Sequence, residues 1–92
     1  MLQTVSIIVE GLVQGVFFRQ STKEKAVSVG ITGEVRNMQD GTVYIIATGT
    51  GKQISQLVEW CHKGPDKANV TNVDVQEVPL QQFNSFTIAR GR

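Results

Sequence analysis

Seven segments in the order strand, helix, strand, strand, helix, strand, strand predict an α+β sandwich, an antiparallel sheet of four to five strands with two helices on one face. Three observations carry this. Residues alternate between two faces at Thr4–Glu10, with a similar alternation at Val43–Thr48. Two other stretches repeat at helical spacing: Phe18, Thr22, Ala26 and Val29, then Ile54, Leu57, Val58 and Cys61. Gln39-Asp40-Gly41-Thr42 separates two strand-like runs by a dipeptide that favours a tight hairpin.

The first strand puts Val5, Ile7 and Val9 on one face and Ser6, Ile8 and Glu10 on the other. Gly11 to Arg19 follows, containing Gly11 and Gly15 and then Val16-Phe17-Phe18-Arg19. A helix runs on from Phe18, with Gln20, Lys23 and Glu24 on its surface and Gly30 as its C-terminal cap. Thr32 to Met38 is the second strand. Val43 to Thr48 is the third, with Val43, Ile45 and Ala47 facing one way. Gly49-Thr-Gly51 breaks it, the second helix runs from about Lys52 to Lys63, and Gly64-Pro65 stops that helix. Asn69 to Val78 alternates weakly through Val73, Val75 and Glu77, predicting a fourth strand. Pro79 to Ser85 connects it to a short last strand marked by Phe86, Ile88 and Arg90. This order is the ferredoxin-like split βαβ arrangement, which hosts many unrelated functions and so decides none.

The 92 residues suit a single domain, 1–92. A chain this short buries somewhat over ~60% of its unfolded surface, so its core must be economical. A hydrophobic fraction of 40% and a charged fraction of 18% describe an ordinary globule. The net charge of +1 leaves no basic excess to hold a nucleic-acid backbone, and Val43-Tyr-Ile-Ile-Ala-Thr48 offers only Tyr44 as a stacking aromatic. No apolar run approaches the ~18 residues of a membrane span. The first ten residues read as a strand rather than a signal peptide, so a cytoplasmic setting is the default expectation. Cys61 has no second cysteine with which to form a disulfide or a zinc site, and it falls on the apolar stripe of the second helix. No His, Asp or Glu cluster has metal-ligand spacing. Thr48-Gly-Thr-Gly-Lys52 superficially suggests a nucleotide loop. That pattern needs Gly where Ile46 stands and Ser or Thr where Gln53 stands, so the segment reads as a turn into the helix.

Two segments can carry chemistry. The first is Val9-Glu-Gly-Leu-Val-Gln-Gly-Val-Phe-Phe-Arg19, between a strand's end and a helix's start. Main-chain N–H groups there lack intrahelical partners and the helix dipole adds positive charge, a combination that binds phosphate. Gly15 would let the backbone turn its N–H groups toward one oxyanion, and Arg19 adds a fork for two phosphate oxygens. The plainer alternative is a glycine-containing loop followed by an exposed Arg. The second segment is Gly33-Glu-Val-Arg-Asn-Met-Gln-Asp-Gly-Thr-Val43, with Asn37 at a strand's end. By itself Asn37 reads more readily as a residue that simply favours the turn.

Together these segments resemble the two signatures of the acylphosphatase family. The first signature has Gly, then Val-Gln-Gly-Val, then an aromatic residue and Arg. The second has Gly–aromatic–Val–x–Asn followed by Gly-Thr-Val. Trp60, Gly64-Pro65, Phe83 and Phe86-Thr-Ile88 extend the resemblance over nearly the whole chain. It implies hydrolysis of the carboxyl–phosphate bond of acyl phosphates. Arg19 would bind the phosphate, Asn37 would orient the attacking water, and Gln14, Gly15, Val16, Phe17, Phe18 and Arg19 would form the phosphate-binding loop. It also implies no cofactor and no metal, a small acyl phosphate as substrate, inorganic phosphate as product and competitor, and a monomer that binds neither nucleic acid nor membrane. An inactive relative that binds phosphate or a protein partner is the alternative. One departure stands out. Glu34 occupies the aromatic position of the second signature, and in a regular strand it points to the face opposite Asn37.

Overall fold

The computed structural model describes residues 1–89, so the expected strand residue Arg90 lies outside the described residues. The elements are β1 (Leu2–Leu12), α1 (Phe18–Val29), β2 (Thr32–Asn37), β3 (Val43–Thr50), α2 (Gly51–Lys63), β4 (Asn69–Val78) and β5 (Phe86–Ile88). They form one five-stranded sheet in the order β4-β1-β3-β2-β5. β1 and β2 flank β3, and β3 and β4 flank β1, which is the split βαβ topology.

Alternation along the strands selects the core face. Val5, Ile7 and Val9 of β1, Val35 of β2 and Val43, Ile45 and Ala47 of β3 are buried. They form one cluster with Phe18, Ala26, Ile54, Leu57 and Cys61 of the helices. Ser6, Ile8, Tyr44 and Ile46 lie half-buried on the other face, which carries no helix. Among the described residues, no helix is long and apolar enough to cross a membrane.

The expected antiparallel pairing holds for β1–β3, β1–β4 and β2–β3, whereas β5 lies parallel to β2, so the sheet is mixed. The cause is topological. β4 ends at the edge beside β1, and residues 79–85 carry the chain to the opposite edge, where it arrives running the same way as β2. Buried threonines fasten this strap to the bare sheet face. Thr4 Oγ1 and Thr48 Oγ1 lie 2.7 Å apart, Thr48 donates to Gln81 O at 2.7 Å, and Gln81 N–H donates to Thr4 Oγ1 at 2.9 Å.

Helix ends follow local chemistry. Gly30 closes α1 in the left-handed region at φ 89°, its N–H returning to the last turn. Thr50 opens α2 with a reciprocal capping box: it accepts from Gln53 N–H at 3.2 Å, while Gln53 accepts from Thr50 N–H at 2.8 Å. Gln53, which spoils the nucleotide-loop pattern, is thus the residue that starts the helix. β3 runs through Gly49 to Thr50 rather than breaking there.

Candidate active site

The corner between β1 and α1 is held at both ends by burial. Val13 is 1% exposed and Phe18 is 2% exposed, leaving Gln14–Phe17 to make the turn. Gly15 has φ 77° and a Cβ there would meet nothing, so backbone conformation rather than crowding selects glycine. Phe17 has φ 64°, the sole positive φ at a described non-glycine residue. Alternation of this kind turns successive N–H groups toward one concavity.

Phe17 is also the N-cap of α1 and offers no side-chain hydrogen bond to the helix. No acidic residue sits in the first turn. The first N–H groups therefore keep their positive end uncompensated, and Arg19 adds a full charge in the same turn. A cation there opposes the helix dipole, a local cost that an incoming anion would offset. Behind this turn Phe18 packs on Trp60 of α2, ring centroids 5.3 Å apart at 56°. Gly64 lies so close that a Cβ would come within 2.7 Å of the Phe18 ring.

A hollow of about 380 Å³ opens here, lined by Gly15, Phe17, Phe18, Arg19, Gln20 and Ile88. Four of the expected loop residues line it; Gln14 and Val16 do not. Gln20 and Ile88 were not foreseen. Ile88 arrives only because β5 pairs with β2 through Val35, a long-range contact that no local pattern announces.

Asn37 ends β2 on the core side, in step with Gly33 and buried Val35. It lies at the same end of the sheet as the loop but does not line the hollow. Its Oδ1 is buried and accepts no hydrogen bond from the described residues. Such an orphan costs ~1–3 kcal/mol and invites a functional explanation. The loop and the Asn37 hairpin are joined by Gln14, whose Nε2 donates to Met38 O at 2.8 Å and Thr42 O at 2.9 Å. The hairpin is stiffened by Asp40, which accepts from Thr42 N–H at 3.0 Å and from Thr42 Oγ1 at 2.7 Å. These bonds hold the Asp40 carboxyl below its ordinary value.

Glu34 does lie on the opposite sheet face. It accepts from Arg36 Nε at 3.1 Å and pairs with the same guanidinium through a second nitrogen. Its charge is therefore spent away from Asn37. Burial pushes the Cys61 thiol up to about 12, so it stays protonated at neutral pH and is no nucleophile. Among the described residues, no group of three or more His, Cys, Asp and Glu is placed to hold a metal.

Fold and corner together define a small ferredoxin-like domain whose first helix starts without a side-chain cap and carries Arg19 in its first turn. The acylphosphatase family profile matches residues 5–88. An acylphosphatase of Marinobacter nauticus is 49% identical over 81 residues, covering 87% of this chain and 88% of that one. The structure of an acylphosphatase from Coxiella burnetii superposes with a TM-score of 0.93 at 36% identity, covering 96% and 93% of the two chains. One from Bacillus subtilis gives 0.92 at 36% identity, covering 97% and 99%. The chain belongs to the acylphosphatase family.

Proposed function

We propose that this chain hydrolyses acyl phosphates to a carboxylate and inorganic phosphate by direct attack of water on phosphorus. Family membership supplies the reaction class. The observation that carries the site assignment is Arg19 in the first turn of an uncapped helix, opening on the hollow beside Gly15 and Phe17. In this reading Arg19 and the main-chain N–H groups of Gln14–Arg19 neutralise the phosphoryl oxygens as preorganised donors. The Asn37 carboxamide, through its orphan Oδ1, accepts from the attacking water and aligns it opposite the leaving oxygen. The new P–O bond forms as the bond to the carboxylate oxygen breaks, the carboxylate departs with the electron pair, and the water's proton passes to solvent. A carboxylate leaves readily, so the enzyme needs no strong acid to assist it.

The same reading makes the enzyme metal-independent, monomeric and cytoplasmic, with no nucleic acid or membrane as partner. Loss of benzoyl phosphate absorbance in the presence of a chelator tests it. Wild type turns over. Arg19→Gln and Asn37→Ala stay folded and lose ~10²–10³-fold in turnover. Inorganic phosphate competes with substrate in wild type and competes far less in Arg19→Gln. Full activity in both variants would refute the assignment. Phosphate binding by a wild type that never turns over would leave a binding module instead.

A further inference from the structure

We propose that Gln14 is a positioning residue whose side chain sets the spacing between the phosphate loop and Asn37; the inference rests on the roles given above to Arg19 and Asn37. The side chain does not line the hollow. Its amide nitrogen bridges two carbonyls of the opposing hairpin, Met38 O at 2.8 Å and Thr42 O at 2.9 Å. Both carbonyls are already engaged within the hairpin: Met38 N–H donates to Thr42 O at 2.9 Å, and Gly41 N–H donates to Met38 O at 3.2 Å. Each oxygen has a second lone pair, and one amide group takes both. The clasp thus closes on the base of the turn, and Met38 is the immediate neighbour of Asn37.

The geometry explains why such a clasp is needed. The loop hangs from the end of β1 and Asn37 from the end of β2, and these strands are not neighbours, because β3 lies between them. No ladder hydrogen bond therefore fixes the loop relative to Asn37. The loop itself holds two positive-φ residues, Gly15 and Phe17, within three positions, and Gly15 and Phe17 are exposed. Catalysis by alignment is sensitive to this spacing, since a displacement of about 1 Å can cost ~10²-fold in rate. Gln14 is the direct side-chain tie from Gln14–Phe17 to the hairpin among the described residues. Its side chain acts through Asn37 and the loop, without touching the reacting atoms.

A mutant cycle tests this. Gln14→Met keeps the length and neutrality of the side chain and removes both donated bonds. Turnover should fall ~10–100-fold. The inhibition constant of inorganic phosphate should stay within about twofold of wild type, because the Arg19 corner is held from behind by Phe18 and Trp60. Adding Gln14→Met to Asn37→Ala should cost less than about threefold further, since the residue Gln14 serves is already gone. Thermal melts establish that each variant is folded. Multiplicative losses in the double variant would overturn the proposal, and so would a loss confined to phosphate affinity. Failure of the underlying reading has its own signature: Asn37→Ala alone would then turn over like wild type, whatever Gln14→Met does.

Discussion

The two ends of the sheet handle their polar groups in opposite ways. At the end where β1 begins and β3 finishes, the groups satisfy one another. Thr4, Thr48 and the Gln81 backbone close a buried network, and Thr50 and Gln53 cap α2 reciprocally. At the other end, α1 starts on a phenylalanine with no capping side chain, its first turn holds a cation instead of an acid, and Asn37 keeps a buried orphan oxygen. Both ends belong to the same strands and the same core. The contrast agrees with the proposed site, since local rules are commonly broken at a site and obeyed elsewhere.

If that division is sound, breaking the satisfied end should cost stability and leave chemistry alone. Thr48→Val preserves shape while removing the hydroxyl that donates to Gln81 O. Urea denaturation should show a loss of ~1–3 kcal/mol, with turnover of benzoyl phosphate at 25 °C unchanged. A large fall in turnover in the folded variant would mean the strap transmits its position, through β5 and Ile88, to the hollow. The two ends would then be one device.

The converse change sharpens the comparison from the other side. Phe17 is 80% exposed at φ 64°, so its ring gains little from packing while its backbone bears a left-handed penalty. Phe17→Gly relieves ~1–2 kcal/mol of that strain and adds ~0.5–1 kcal/mol of unfolded-chain entropy. A net gain on the order of 0.5–1 kcal/mol in urea melts is expected, together with lower turnover as the loop loosens. A variant both less stable and fully active would place the strain outside the function.

The same contrast explains what could be read from the chain before its structure. Period-two runs located β1 and β3, and the Ile54/Leu57/Cys61 stripe located α2, because one buried face imposes its spacing on each element. Gly30 and Gly64-Pro65 marked helix ends because few other residues tolerate those conformations. Arg19 and Asn37 stood out only through two signatures, since Arg19 alone fits a plain loop equally well and Asn37 alone fits a turn residue better. The parallel direction of β5, the place of Ile88 in the hollow and the Gln14 clasp were not legible. Each depends on which distant segments meet, and a contact between residues 14 and 42 leaves no periodicity. The side of the sheet taken by Glu34 was legible from strand parity, whereas its pairing with Arg36 needed the rotamers.

The smallest expected effect concerns Asp40, a hydrogen-bonded carboxylate in the hairpin that follows Asn37. Hydrogen bonds from Thr42 hold its carboxyl below the ordinary value of 3.8. A depressed folded value means the unfolded chain takes up the proton first as pH falls. The stabilisation is complete above the ordinary carboxylate range and drains away as pH drops through the depressed folded value. Asp40→Asn can still accept from Thr42 N–H but does not titrate. Urea midpoints of wild type and Asp40→Asn compared from pH 6 down to pH 2 should therefore converge or cross toward wild-type weakness at the acid end. Because Thr42 also carries one of the Gln14 bonds, the same acid window should lower wild-type turnover slightly more than that of Asp40→Asn. Parallel stability curves for the two proteins would show that the hairpin draws nothing from the ionised carboxylate and that its rigidity resides in the main chain alone.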